Sequence, residues 1–133
     1  METTSKTQQV GGNHYESLKI QPVVLISRFN MNWFQGEVLK YISRTKNGLE
    51  DLHKGIRVSD MANDLHISTN LVGLPCDYLC LMRDYTCQFV GSRLDTESYW
   101  LFMNILTNII LCKWKAVSEG IVRLRDSLYG TEE

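Results

Sequence analysis

The chain has 133 residues, 44% of them hydrophobic and 22% charged, and its fourteen basic and fifteen acidic residues give a formal net charge of -1. That length suits one domain with a core of its own, without metals or disulfides to hold it. A near-neutral chain has no global field to gather nucleic acid, so general nucleic-acid binding is disfavoured and any anion site must be a local cluster of Lys and Arg.

The four cysteines are Cys76, Cys80, Cys87 and Cys112. None has Cys-x-x-Cys spacing and the sequence shows no signal peptide, so neither a disulfide scaffold nor a zinc site is expected. Cys76, Cys80 and Cys87 recur at helical spacing in an apolar stretch and read as small core residues. The most apolar run, residues 99–112, is interrupted by Asn104, Thr107 and Asn108. It falls short of the roughly 20 residues needed to span a bilayer, which predicts a cytoplasmic protein with no membrane partner.

In chain order, residues 1–12 read as a flexible tail, polar through Gln9 and ending in Gly11-Gly12. Residues 13–133 read as a single all-α domain, a small bundle of about five helices with no sheet. Gln21-Pro22 opens a first helix, because proline suits the first turn, with Val23, Leu25, Ile26 and Phe29 inward and a stop between Asn30 and Asn32. Asn32 caps a second helix, about Trp33 to Thr45, with Phe34, Val38, Tyr41 and Ile42 toward the core. Asn47-Gly48 stops it. A third helix runs from about Leu49 to Leu65, with Leu49, Leu52, Ile56, Met61, Ala62 and Leu65 as a drifting apolar stripe. Gly73-Leu74-Pro75 leads into a fourth, ending near Val90 and Gly91. Asp95 caps a fifth that continues to Tyr129 or breaks near Gly120. Residues 13–66 carry the candidate site, and residues 74–129 form a helical wall or an oligomer surface.

The sequence has no P-loop, no Rossmann glycine pattern, no His-Glu-x-x-His and no nucleophile elbow. What remains is polar chemistry around the second and third helices. Lys40 and Arg44 are one turn apart, so their heads can converge on one phosphate, Arg as a rigid fork and Lys as a point charge. Lys46 stands at the turn, and the start of the third helix offers free N–H groups to an anion. Spacing alone equally describes, and on its own favours, a solvated basic face on which Glu37 pairs with Lys40. Glu50-Asp51 is a poor Mg²⁺ pair because neighbours on a helix diverge, and Asp60 with Asp64 reads as a solvated patch, so no metal is assigned. His53 reads as a half-buried packing residue and His66 as a helix-end residue. Trp33, Trp100 and Trp114 read as core.

In combination the order is more specific. Asn13-His14-Tyr15, Ile20-Gln21-Pro22, Phe34-Gln35-Gly36, Leu39-Lys40-Tyr41 with Arg44 and Lys46, and Glu50-Asp51-Leu52-x-Lys54 together resemble the SaV-like family of small phage proteins. That family includes a nucleoside monophosphate kinase without a P-loop. The similarity covers residues 13–55. It implies a phage-encoded, homo-oligomeric, cytoplasmic protein whose ligand is a nucleotide or another phosphorylated small molecule. The ligand-binding positions it implies are His14, Tyr15, Gly36, Lys40, Tyr41, Arg44, Lys46 and Lys54. Lys40, Arg44 and Lys46 would hold phosphates and Tyr15 or Tyr41 would contact base or sugar. Asp51 would be the candidate for orienting a cation or an attacking phosphate. Glu37 after the glycine and Gly55 in place of alanine depart from the pattern, as does the missing aromatic end of the last motif helix.

The expected function is therefore nucleotide binding, either sequestering a nucleotide signal of host defence or regulating nucleotide supply. Two alternatives stand beside it. One is a nucleoside monophosphate kinase using ATP and Mg²⁺, and the other is a non-enzymatic phage factor that binds a host protein.

Overall fold

The computed structural model describes residues 19–44, 48–69, 71, 78–90 and 96–130. Among them are six helices and no strand: α1 (Pro22–Arg28), α2 (Trp33–Ile42), α3 (Gly48–Asp64), α4 (Leu79–Val90), α5 (Thr96–Ile110) and α6 (Trp114–Tyr129). Four of these close a ring, with α2 on α3, α3 on α6, α6 on α5, and α5 back on α2. Outside the ring, α1 packs on α2 and α4 packs on α5.

Local signals set the helix ends. Pro22 begins α1, and Asn30 ends its turn at φ 52, a left-handed position that asparagine tolerates better than most residues. Asn32 then builds a capping box for α2. Its side chain accepts from the Gln35 N–H at 2.9 Å, and the Gln35 side chain accepts from the Asn32 N–H at 2.8 Å. The described α2 ends at Ile42 with Ser43 as C-cap, shorter than the expected end at Thr45, which lies outside the described residues.

Sequence reading and structure part company in the long final segment. The expected fifth helix breaks at residues 111–113, so α5 and α6 are separate, and Gly120 lies inside α6. At the break Cys112 takes φ 57, while the Lys113 N–H reaches back to the Asn108 carbonyl at 2.9 Å. This is the six-to-one bond that closes a helix end, made here without glycine. Gly120 has a different task. A Cβ added there would lie 2.8 Å from Cγ1 of fully buried Ile105, so the glycine permits α5 and α6 to approach.

The ring encloses Val38, Leu39 and Ile42 of α2 with Leu52 and Ala62 of α3. Phe102, Ile105, Leu106, Ile109 and Ile110 of α5 face Val117, Ile121 and Leu124 of α6. Along α3 the buried seam is mostly small or short (Asp51, Leu52, Gly55, Ser59 and Ala62), which lets two neighbours come close at once. A Cβ at Gly55 would meet Ile121 Cδ1 at 3.4 Å, Tyr41 Cβ at 3.7 Å and Ile42 Cγ2 at 3.8 Å. Leu49, Met61 and Leu65, expected in the stripe, are exposed because they lie off the seam that runs through residues 51, 52, 55, 59 and 62. Phe34 and Tyr41 of α2, also expected in the core, are only half-buried.

Buried polar groups are hydrogen-bonded across the ring. Gln35 Nε2 donates to the carbonyls of Ile109 and Ile110 at 3.0 Å each, two acceptors at the C-terminus of α5. Ser43 Oγ lies 2.6 Å from the Leu39 carbonyl and 2.5 Å from the hydroxyl of fully buried Tyr85, tying α4 to the end of α2. Trp114 is buried and its Nε1 donates to the Ile67 carbonyl at 2.9 Å. Trp33 and Trp100, expected in the core, are instead exposed, each edge-on to its chain neighbour Phe34 or Tyr99.

The two helix-crossing glycines should therefore respond oppositely to a methyl group. Gly55→Ala meets only ordinary van der Waals distances and gains helix propensity, so it should leave stability unchanged or raise it by about 0.5–1 kcal/mol. Gly120→Ala must displace Ile105 in a packed core and should lower stability by about 1–3 kcal/mol. Thermal and denaturant unfolding of the two variants measure the contrast.

Candidate functional site

The C-terminal half of α2 and the first turns of α3 meet at a corner that gathers four of the residues singled out in the sequence. Arg44 Nη1 lies 3.4 Å from Asp51 Oδ1, and the Arg44 guanidinium carbon sits 4.8 Å from the centroid of the Tyr41 ring. Lys54 Nζ lies 6.0 Å from the same centroid. Both cations are thus within reach of the negative face of one aromatic ring, the range in which a cation is attracted to it. The geometry follows from helix spacing. Residues 41 and 44 are three apart, in the last turn of α2 and the segment just past its C-cap, and residues 51 and 54 are one turn apart on α3. The tight approach at Gly55 brings the two pairs together.

Asp51 gives the corner its electrostatic logic. Its side chain is 7% exposed and that of Arg44 23%. A carboxylate withdrawn so far from water needs a cation nearby, and Arg44 supplies it. Asp51 also sits in the first turn of α3, where the helix dipole favours an acid.

Lys40 has an acidic partner of its own on α2. Its ammonium pairs with Glu37 Oε2 at 3.2 Å, one turn back along α2, in a half-exposed ion pair worth little to stability. Gly36 is buried two turns before Arg44, where an added Cβ would lie 3.4 Å from Ile26 Cδ1 of α1. Its place is in helix packing. His14, Tyr15 and Lys46 lie outside the described residues.

Several other titratable groups have structural partners. Asp60 accepts from Ser118 Oγ at 2.6 Å, joining α3 to α6. His53 is half-buried as expected, with Nε2 3.3 Å from Arg125 Nη1, and Arg125 also pairs with Asp126 at 3.2 Å. Among the described residues no group of three or more His, Cys, Asp or Glu side chains could hold a metal ion. Cys80 and Cys87 are exposed free thiols, against the expected core placement, because the buried stripe of α4 runs through Met82, Tyr85 and Thr86. Cys112 is half-buried, and that burial pushes its thiol pKa up, while a weak hydrogen bond from Asn32 Nδ2 at 3.9 Å acts in the opposite sense.

Sequence reasoning missed two features of this region. Asn32 and Gln35 have the spacing of a capping box and were legible as one, but nothing local marks the second bond from Gln35 to α5. The Arg44–Asp51 pair straddles the Asn47-Gly48 turn, and opposite charges seven apart across a helical hairpin are a readable signal for such a partner.

The chain matches no protein-family model, no curated protein and no solved structure. Among the described residues no helix is long and apolar enough to cross a membrane.

Removing the cation should expose the dependence of Asp51 on it. Arg44→Met is expected to destabilise by about 1–3 kcal/mol, since it strands a nearly buried carboxylate. Adding Asp51→Asn, which keeps the shape and removes the charge, should recover more than half of that loss. A double-mutant cycle by denaturant unfolding measures both.

Proposed function

We propose that this chain is a phage-type nucleotide-binding protein whose ligand phosphates are held at the α2–α3 corner. The observation that carries the reading is the flanking of one tyrosine ring by Arg44 and Lys54 beside a nearly buried acid. In this arrangement Asp51 orients the guanidinium fork, Arg44 and Lys54 are the phosphate ligands, and Tyr41 offers a face or hydroxyl to base or sugar. Lys40, engaged by Glu37, is a secondary contributor. His14, Tyr15 and Lys46 join the site on the strength of the resemblance to the SaV-like family, as do the homo-oligomeric state and a place in the host cytoplasm.

Binding ranks above phosphoryl transfer for a chemical reason. A kinase needs an acid to organise Mg²⁺ or the attacking phosphate. Asp51, the acid the resemblance offers, is nearly buried and faces Arg44, and Glu37 places a further negative charge on α2. The site is therefore read as a receptor for a nucleotide, suited to sequestering a signal or sensing supply.

Thermal-shift measurements with mono-, tri- and cyclic nucleotides test this. At least one class should stabilise the chain with mass-action dependence, about 2.7 kcal/mol at a hundredfold excess over Kd. Lys54→Ala should abolish most of that increment while leaving the unliganded melting temperature near that of the parent. Incubation with ATP, Mg²⁺ and nucleoside monophosphates should yield no transfer, and transfer would establish the kinase instead. Absence of stabilisation by any nucleotide would reject the site and leave the host-protein reading.

A further inference from the structure

The guanidinium on which the α2–α3 corner relies belongs to a residue just past a helix. Ile42 is the last residue of α2, Ser43 is its C-cap, and Arg44 follows. A residue beyond the last turn has no helical ladder of its own, and helix ends fray. This end is instead held from outside. Ser43 is fully buried, and its hydroxyl lies 2.6 Å from the Leu39 carbonyl and 2.5 Å from the Tyr85 hydroxyl. A carbonyl can only accept, so the Ser43 hydroxyl hydrogen goes to Leu39, and Tyr85 donates to Ser43.

Tyr85 has the surroundings of a rigid strut. It is fully buried in α4, with its ring centroid 5.1 Å from that of Phe89 and 6.5 Å from that of Phe102 on α5. Phe89 and Phe102 in turn stack on each other at 5.1 Å. One turn on from Tyr85, Gln88 pins α4 a second time, accepting from the Ile20 N–H at 2.7 Å and donating to the Ile20 carbonyl at 2.9 Å. A hydroxyl held in this way, away from water, gives its hydrogen bond a fixed direction and makes it costly to leave unmade.

We propose that Tyr85 is a positioning residue for Arg44 and acts through Ser43, an inference that rests on reading the α2–α3 corner as a phosphate site. By holding the C-cap, Tyr85 fixes the point from which the Arg44 side chain leaves the backbone. The guanidinium then meets Asp51 at 3.4 Å and lies 4.8 Å from the centroid of the Tyr41 ring. A guanidinium fork recognises phosphate through its geometry, and orientation set before binding lowers the cost of binding. Tyr85 does this without being one of the residues proposed to touch the ligand. It also lies outside residues 13–55, so α4 brings the C-terminal half of the chain into the site.

Tyr85→Phe tests this by deleting the hydroxyl and keeping the packed ring, so the chain should stay folded and melt a few degrees lower. Ser43→Ala removes the acceptor of the same bond and serves as the second variant. The ligand-free readout is the heteronuclear NOE of the Arg44 Nε–H, assigned by its loss in Arg44→Met. In the parent it should match the backbone amides of α2, and in both variants it should fall to the value of exposed Arg57. Gln88→Met, which releases Ile20 from the same helix, should leave it unchanged. An Arg44 signal as rigid in both variants as in the parent overturns the inference, whatever the chain binds. Calorimetric titration with AMP, ATP and cyclic AMP adds the functional readout. For each that the parent binds, Tyr85→Phe should raise Kd about five- to tenfold, and by less than about twofold when Arg44→Met is already present. Equal weakening in both backgrounds would assign Tyr85 a general structural role and refute the proposal. A parent that binds none of the three counts against the nucleotide reading, while the Arg44 signal still decides the positioning.

Discussion

The side chain of Gln35 is the point on which the arrangement of α2 depends. Its oxygen closes the capping box at the start of α2, and its nitrogen satisfies two carbonyls at the end of α5. Those carbonyls belong to the last turn of α5, where the helical ladder runs out; the Ile109 carbonyl also accepts from the Cys112 N–H at 3.1 Å, and Ile109 and Ile110 are buried away from water. A buried acceptor without a donor is expensive, so the packing of α2 on α5 is tied to the height and rotation that bring this one amide into place. Asn32 adds a weak contact to Cys112 in the turn that follows, so the same junction touches the break between α5 and α6.

From that junction the corner with α3 follows. With the N-terminus of α2 registered on α5, the next turns place Val38, Leu39 and Ile42 in the core and bring Tyr41 and Arg44 to the edge facing α3. At Gly55 α3 lies against Tyr41 and Ile42 while its other flank meets Ile121 of α6, at distances that leave room for no more than a methyl group. Asp51 is buried because of that approach, and its burial holds Arg44. The positions of two residues that chemistry could use are in this way consequences of one amide and one close helix crossing. The other ring contacts are mostly apolar and set the fold without selecting these positions.

Much of this was legible in the sequence, and unevenly so. The all-helical class, Pro22 as a helix start, Asn32 as a cap and the stop near Asn30 follow from local stereochemistry, and the structure has each of them. The break at Cys112 was not legible, because a half-buried cysteine in a left-handed conformation has no local sequence signal, whereas Gly120 looks like a hinge and serves as a packing gap. Trp33 and Trp100 were placed inside on general grounds, and tertiary context left them out. Periodicity put Lys40 beside Arg44 and offered Glu37 as the partner of Lys40, yet along α2 alone it could not say that Asp51 of α3 would take Arg44. Spacing along one helix carries no information about a partner helix. Lys54 and Tyr41, which the resemblance named, come together with Arg44 only through the folded chain.

The most direct test of the central constraint is the unfolding free energy of Gln35→Met, a change of similar length that removes both donors and the capping acceptor. Stability should fall by about 2–4 kcal/mol, with hydrogen-exchange protection lost first along α2. A variant as stable as the parent, with α2 equally protected, would contradict the account.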